Sequence, residues 1–157
     1  MKPNIGITAE NREIVAHELA KLLADEFVLF TKTLHAHWNL EGIDFHAVHV
    51  YFEDLYNQSL TLVDSVAERI RQLDHYAPAT LQKVLQLTHL TEQEAGGTDS
   101  RSLIASLLND HEAIIAFIRG TIREFQDAHH DAGTSDFVTG LMATHEKMAW
   151  MLRAHLN

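Results

Sequence analysis

The stretch that decides the fold is His46 to Ile70, HAVHVYFEDLYNQSLTLVDSVAERI. It lies within a longer helical run from Asp44 to Asp74. There Val48, Phe52, Leu55, Leu62, Val66, Ile70 and Leu73 recur at three- and four-residue steps, the stripe of a long amphipathic helix. A second apolar stripe, Tyr56, Leu60, Val63 and Ala67, runs beside the first and is continuous with His49, Glu53 and Asp64. A helix apolar on two faces needs more than its own bundle to cover it, so burial against another subunit is expected. Carboxylates and imidazoles on such a face are costly unless something binds them. A metal ion is one answer, and interhelical salt bridges are the other.

Spacing then limits how a metal could be held. His49 and Glu53 are one turn apart, and so are Asp64 and Glu68. At ~1.5 Å rise per residue, however, Glu53 and Asp64 lie roughly 16 Å apart along the helix. Ligands must approach one ion to about 2.0–2.2 Å, so a single helix cannot close the site. Two copies running antiparallel across a two-fold axis can, with His49 and Glu53 of one chain meeting Asp64 and Glu68 of the other.

Outward from this helix the same periodicity recurs three times. A first helix is expected from about Thr8 to Trp38, carrying Leu19, Leu22, Leu23, Phe27, Phe30 and Leu34. A third is expected from about Ser100 to His130, with Ile104, Leu107, Leu108, His111, Ile114, Ile118 and Phe125 on its apolar face, and a fourth from about Ser135 to Leu156, with Val138, Leu141, His145, Met148 and Leu152. The long connection after the second helix holds Leu81, Val84, Leu85 and Leu87, which predict a short extra helix. Strand-like alternation and internal repeats are missing. Four long helices with one long crossover predict an all-α chain, a ferritin-like four-helix bundle in a single domain spanning 1–157, with residues 1–8 as a short tail.

Composition narrows the chemistry. The 157 residues include 22 acidic against 12 basic ones, a net charge of −10 that disfavours nucleic-acid phosphates and anionic membranes and suits cations. There is no cysteine, so neither disulfides nor thiolate ligation are available, and a metal must be held by His, Asp and Glu. No signal-peptide segment opens the chain and no apolar run approaches the ~20 residues of a membrane span. A soluble protein of the cytoplasm is expected. Glu-x-x-His pairs, the zincin motif and Gly-rich phosphate loops are missing, so a metal site depends on an intersubunit arrangement.

From His37 to Ile70, HWNLEGIDFHAVHVYFEDLYNQSLTLVDSVAERI resembles the Dps family, the DNA-protecting mini-ferritins of starved cells. The motif is His-Trp-Asn, a histidine twelve residues after the first, and Asp-x-x-x-Glu-Arg beyond; the likeness continues to the C-terminal THEKMAWMLRAHL. The resemblance implies a hollow dodecamer built from two-fold dimers. It also implies a ferroxidase that oxidises iron(II) with hydrogen peroxide in preference to O2, with ferric mineral stored inside, as protection against oxidative stress. Carried over by motif, His37, His49 and Glu53 of one chain and Asp64 and Glu68 of its neighbour are the catalytic and iron-binding residues, with Trp38 beside them.

Two features of this chain depart from the family pattern. Glu53 stands where the family usually has Asp, and His35 and His46 add imidazoles nearby. Imidazole also suits zinc, so zinc at the same site is a further expectation. Asp131 and Asp136 flank Gly133 in DAGTSD, where the family lines its three-fold entry pore with acidic residues; a solvated loop with a helix N-cap is the plainer reading. Glu112, Glu124 and Asp127 are candidates for mineral nucleation. His111 and His145 read as satisfied core histidines, and His129, His130 and His155 as surface residues. DNA binding is expected to be weak or absent, since Lys2 and Arg12 are the only basic residues of the N-terminal segment.

Overall fold

The computed structural model describes residues 3–92 and 96–157. Five α-helices occur among them: α1 (Ala9–Asn39), α2 (Phe45–Gln72), the short α3 (Leu81–Leu87), α4 (Ser100–Arg123) and α5 (Ala132–Ala154). No strand occurs among the described residues, only an isolated bridge between Glu41 and Asp99. The all-α bundle expected from the sequence is therefore the fold observed, including the extra helix in the crossover.

Helix starts follow from their caps. Thr8 accepts from the Asn11 amide before α1, Thr80 from Lys83 before α3, Asp99 from Ser102 before α4 and Asp131 from Thr134 before α5. The Asp99 carboxyl is held below its ordinary range by its bonds to Ser102, as a carboxylate at a helix N-terminus should be. After α2 the chain turns at Asp74, in the left-handed region at φ 70°. Helix α4 does not run regularly to His130 but widens into a π-helical turn over Glu124–Ala128, closed by the His129 amide on the Glu124 carbonyl at 3.1 Å.

Helix α1 packs along α2, and α4 along α5, so the bundle is two helical hairpins laid together, with α3 on α1. On α2 the inward face is Val48, Phe52, Leu55, Val66, Ile70 and Leu73. Leu62 is only half-buried, and Ser59 takes the inward position between Leu55 and Val66, its hydroxyl satisfied by the Leu55 carbonyl at 2.9 Å. Buried Asp25 on α1 ties down the crossover: its Oδ1 accepts from the Thr88 hydroxyl and the His89 amide, and its Oδ2 contacts His89 Nδ1 at 3.0 Å.

Candidate metal centre

His37 sits in the last turn of α1 and His49 in the second turn of α2, brought face to face by the short link between them. Their rings stack with centroids 3.8 Å apart and planes 20° from parallel. Each imidazole bonds the other residue's backbone: His37 Nδ1 to the His49 carbonyl at 3.0 Å, and His49 Nδ1 to the His37 carbonyl at 2.9 Å. The His37 carbonyl belongs to the final turn of α1, where helix carbonyls lack an intrahelical donor, so His49 fills that vacancy.

A carbonyl oxygen can only accept, so each Nδ1 carries its proton and donates it. In the neutral rings both Nε2 atoms are then left as lone pairs. This is the arrangement of metal-ligating histidines, whose second ring nitrogen is anchored by a hydrogen bond that fixes tautomer and orientation. Phe45 stacks on the other side of His49 at 4.9 Å, and Tyr56 meets His37 edge-on at 5.2 Å. Tyr56 was singled out in the sequence only as part of an apolar stripe. Its three-residue step from Glu53 was the available signal for a wall of the site.

Glu53, one turn beyond His49, is exposed, and so are Asp64 and Glu68 further along the same helix. Among the described residues no three His, Asp or Glu side chains of the one chain converge on a point that could hold an ion. The outer face of α2 is apolar and uncovered: Phe45 and Leu60 are exposed, Tyr56, Val63 and Ala67 half-buried, and Trp38 beside His37 is 70% exposed. Leu60, Val63, Asp64 and Ala67 line a shallow depression on it. His35 bonds to Asn39 in its own helix, and His46 is exposed on the first turn of α2.

The two aspartates of the α4–α5 corner have different fates. Asp131 is buried, and its carboxylate is committed: Oδ1 accepts from the Thr134 amide at 2.8 Å and from Arg69 at 3.2 Å, and Oδ2 from the Thr134 hydroxyl at 2.6 Å. Gly133 makes room for that arginine, since a Cβ there would lie 3.1 Å from its Nη2. Asp131 is thus a helix cap paired to Arg69, and Asp136 is the exposed carboxylate of the pair. Glu112 pairs with Arg153, while Glu124 and Asp127 are exposed.

A second cluster lies in the core. His145 Nε2 is 2.7 Å from Oε1 of Glu26, and its Nδ1 is 2.9 Å from Nδ1 of His111, all three side chains being fully buried. The two histidines are core residues, as their apolar-face positions suggested, but only His145 is satisfied at both nitrogens; His111 Nε2 is buried without a partner. Glu26 escaped the sequence reading, although it lies three and four residues from Leu23 and Leu22. Burial, and then the neighbouring His145, hold His111 well below the ordinary imidazole range. His129, expected at the surface, is instead buried at 9% exposure beside the π-helical turn, while His130 and His155 are exposed.

Comparison with known proteins decides the family. The ferritin-like domain pattern matches residues 16–157. A DNA protection during starvation protein of Bacillus anthracis is 34% identical over 94% of this chain and 99% of its own length. This chain belongs to the Dps family. A low temperature-induced protein of Nostoc is 37% identical over 98% of this chain and 86% of that one. The crystal structure of the Dps protein of Vibrio cholerae, described as a member of a broad superfamily of ferritin-like diiron-carboxylate proteins, superposes with a TM-score of 0.92 at 28% identity, covering 99% and 97% of the two chains. Iron is thus the metal to which this Dps chain's relationships point. No helix among the described residues is long and apolar enough to cross a membrane.

Proposed function

We propose that this protein takes up iron(II) at sites shared between two-fold-related copies of α2, oxidises it with hydrogen peroxide in preference to O2, and stores the ferric product inside a closed dodecamer in the cytoplasm. The observation that carries this reading is the reciprocal lock of His37 and His49: two imidazoles anchored at the edge of an uncovered apolar face, where no three ligands of their own chain converge among the described residues. His37, His49 and Glu53 of one protomer and Asp64 and Glu68 of its partner are the assigned ligands, with Trp38 packed against the junction.

Imidazole and carboxylate donors together suit both oxidation states of iron. When two ions are bound close together, each gives up one electron. Hydrogen peroxide takes both electrons and two protons, its O–O bond breaks, and two waters leave without a hydroxyl radical. Asp136 is assigned to the entry route, and zinc is treated as a competitor for the same ligands.

The test is anaerobic loading with iron(II) followed by one equivalent of peroxide per two irons. Fast oxidation to a soluble ferric product is expected, and it should be lost in His37→Ala, His49→Ala and Asp64→Ala. Activity retained in all three variants would sink the assignment, and bound zinc with no oxidation would replace the function. Native mass measurement checks the twelve-subunit shell. A second reading, DNA coating with little oxidase activity, is opposed by the net charge of −10. A gel shift at neutral pH and physiological salt should show no complex.

A further inference from the structure

The π-helical turn at the end of α4 makes a contact that no regular helix could. It sets Glu124 and His129, five residues apart, on one face, and such single turns occur preferentially at functional sites. His129 Nε2 stands 3.5 Å from Oε1 of Glu124. That is long for a charge-assisted hydrogen bond, which closes to about 2.7–2.9 Å. It is, however, the separation of two ligands of one ion, since donors at about 2.1 Å in tetrahedral geometry lie about 3.4 Å apart.

The rest of the imidazole is arranged to match. His129 is buried at 9% exposure, and its Nδ1 faces the side-chain oxygen of Asn11, from the first turn of α1, at 3.4 Å. With the proton on Nδ1, toward that oxygen, Nε2 is a lone pair facing the carboxylate, the tautomer a ligating histidine uses. Glu124 is 54% exposed at its side chain, so the gap between the two opens to solvent.

We infer that Glu124 and His129 form a second cation site, separate from the α2 interface, that takes a divalent first-row transition ion with water completing its coordination. One imidazole nitrogen and one carboxylate favour iron(II), cobalt(II) or zinc(II) over magnesium or calcium. Asn11 acts as a positioning residue. The corner stands close to the far end of α2, because Arg69 of that helix is bonded to Asp131 and Thr134 immediately after the π-helical turn.

The experiment is calorimetric titration of the assembled protein with cobalt(II), in a His37→Ala/His49→Ala background that removes the imidazoles of the α2 site. One cobalt per protomer should remain, and adding His129→Ala should abolish it. Glu124→Gln, an exposed change that leaves the fold intact, should weaken binding at least tenfold, and Asn11→Ala about tenfold. Unchanged cobalt binding in the Glu124 and His129 variants, or no cobalt bound in the background protein, would mean an ion pair only and overturn the site. Neither result bears on the α2 reading, whose two imidazole ligands are already removed.

Discussion

His37 and His49 stack 3.8 Å apart and send their Nδ1 protons to each other's backbone; His111 and His145 lie 5.1 Å apart and share a proton between their own Nδ1 atoms. Both pairs join neighbouring helices, and both rest on apolar surroundings. The difference is where the second nitrogen goes. In the first pair the backbone consumes Nδ1 and leaves Nε2 facing an uncovered surface. In the second, Glu26 consumes His145 Nε2, and His111 Nε2 is sealed in the core without a partner. A histidine pair becomes a ligand pair only when the protein's own hydrogen bonds stop one nitrogen short, at a place an ion can reach.

This contrast can be broken from either side. The largest effect belongs to the open pair: Asp64→Ala and His37→Ala should each lower peroxide-driven iron oxidation by at least about a hundredfold, measured as ferric absorbance after mixing, with the urea unfolding curve little changed for exposed Asp64. Equal oxidation rates in both variants and wild type would put the chemistry elsewhere. Next comes the sealed pair. His145→Ala leaves the Glu26 carboxylate buried and alone, and removing one partner of a buried charged contact costs about 3–5 kcal/mol. Urea unfolding at fixed protein concentration reads this, while oxidation by the folded fraction should be unaffected.

Acid should separate the pairs by a smaller amount. Folded His111 resists protonation because burial depresses its affinity for the proton, whereas in the unfolded chain it titrates near 6.5. Between its folded value and 6.5 the unfolded state binds more protons. Stability is therefore full above pH 6.5 and falls as the pH drops below it, by at most about 1.4 kcal/mol per pH unit. His111→Gln should flatten that slope in pH-dependent melting. The smallest effect tests the corner: Asp131→Ala should cost about 1–2 kcal/mol through its lost cap, whereas Asp136→Ala should slow iron uptake and leave melting unchanged. If Asp131→Ala slowed uptake while retaining full stability, its reading as a cap would fail.

Much of this was legible in the sequence because it is periodic. Long apolar stripes gave the four main helices within a few residues of their ends, and the four residues Leu81, Val84, Leu85 and Leu87 sufficed for α3. His37 and His49 were marked by motif and are brought together by the fold, while the second copy that the Glu53–Asp64 spacing asks for belongs to the proposal. Three features were harder to see. Glu26 looks like an ordinary helix charge until two apolar-face histidines are recognised as needing an acceptor. The π-helical turn leaves no periodic trace, because one extra residue in a turn shifts the stripe only at its end, which is why His129 passed for a surface residue. Asp131 shared its sequence context with Asp136, and only the reach of Arg69 into the space left by Gly133 separates a cap from an open carboxylate.

The chain from Glu26 through His145 to His111 also has a consequence in time. His37 and His49 lie within one helical hairpin, so their contact can form as soon as α1 and α2 fold back on each other. Glu26 belongs to that hairpin, but His145 and His111 belong to the other, and their bond exists only once the two have docked. Local contacts of the first type form early, and docking across the long crossover comes late. His145→Ala should therefore quicken unfolding far more than it slows folding, visible as a raised unfolding limb in stopped-flow denaturant kinetics. A folding limb that moved by the same amount would place docking before the rate-limiting step. On this order of events the proposed half-site for iron is assembled before the core that supports it is locked.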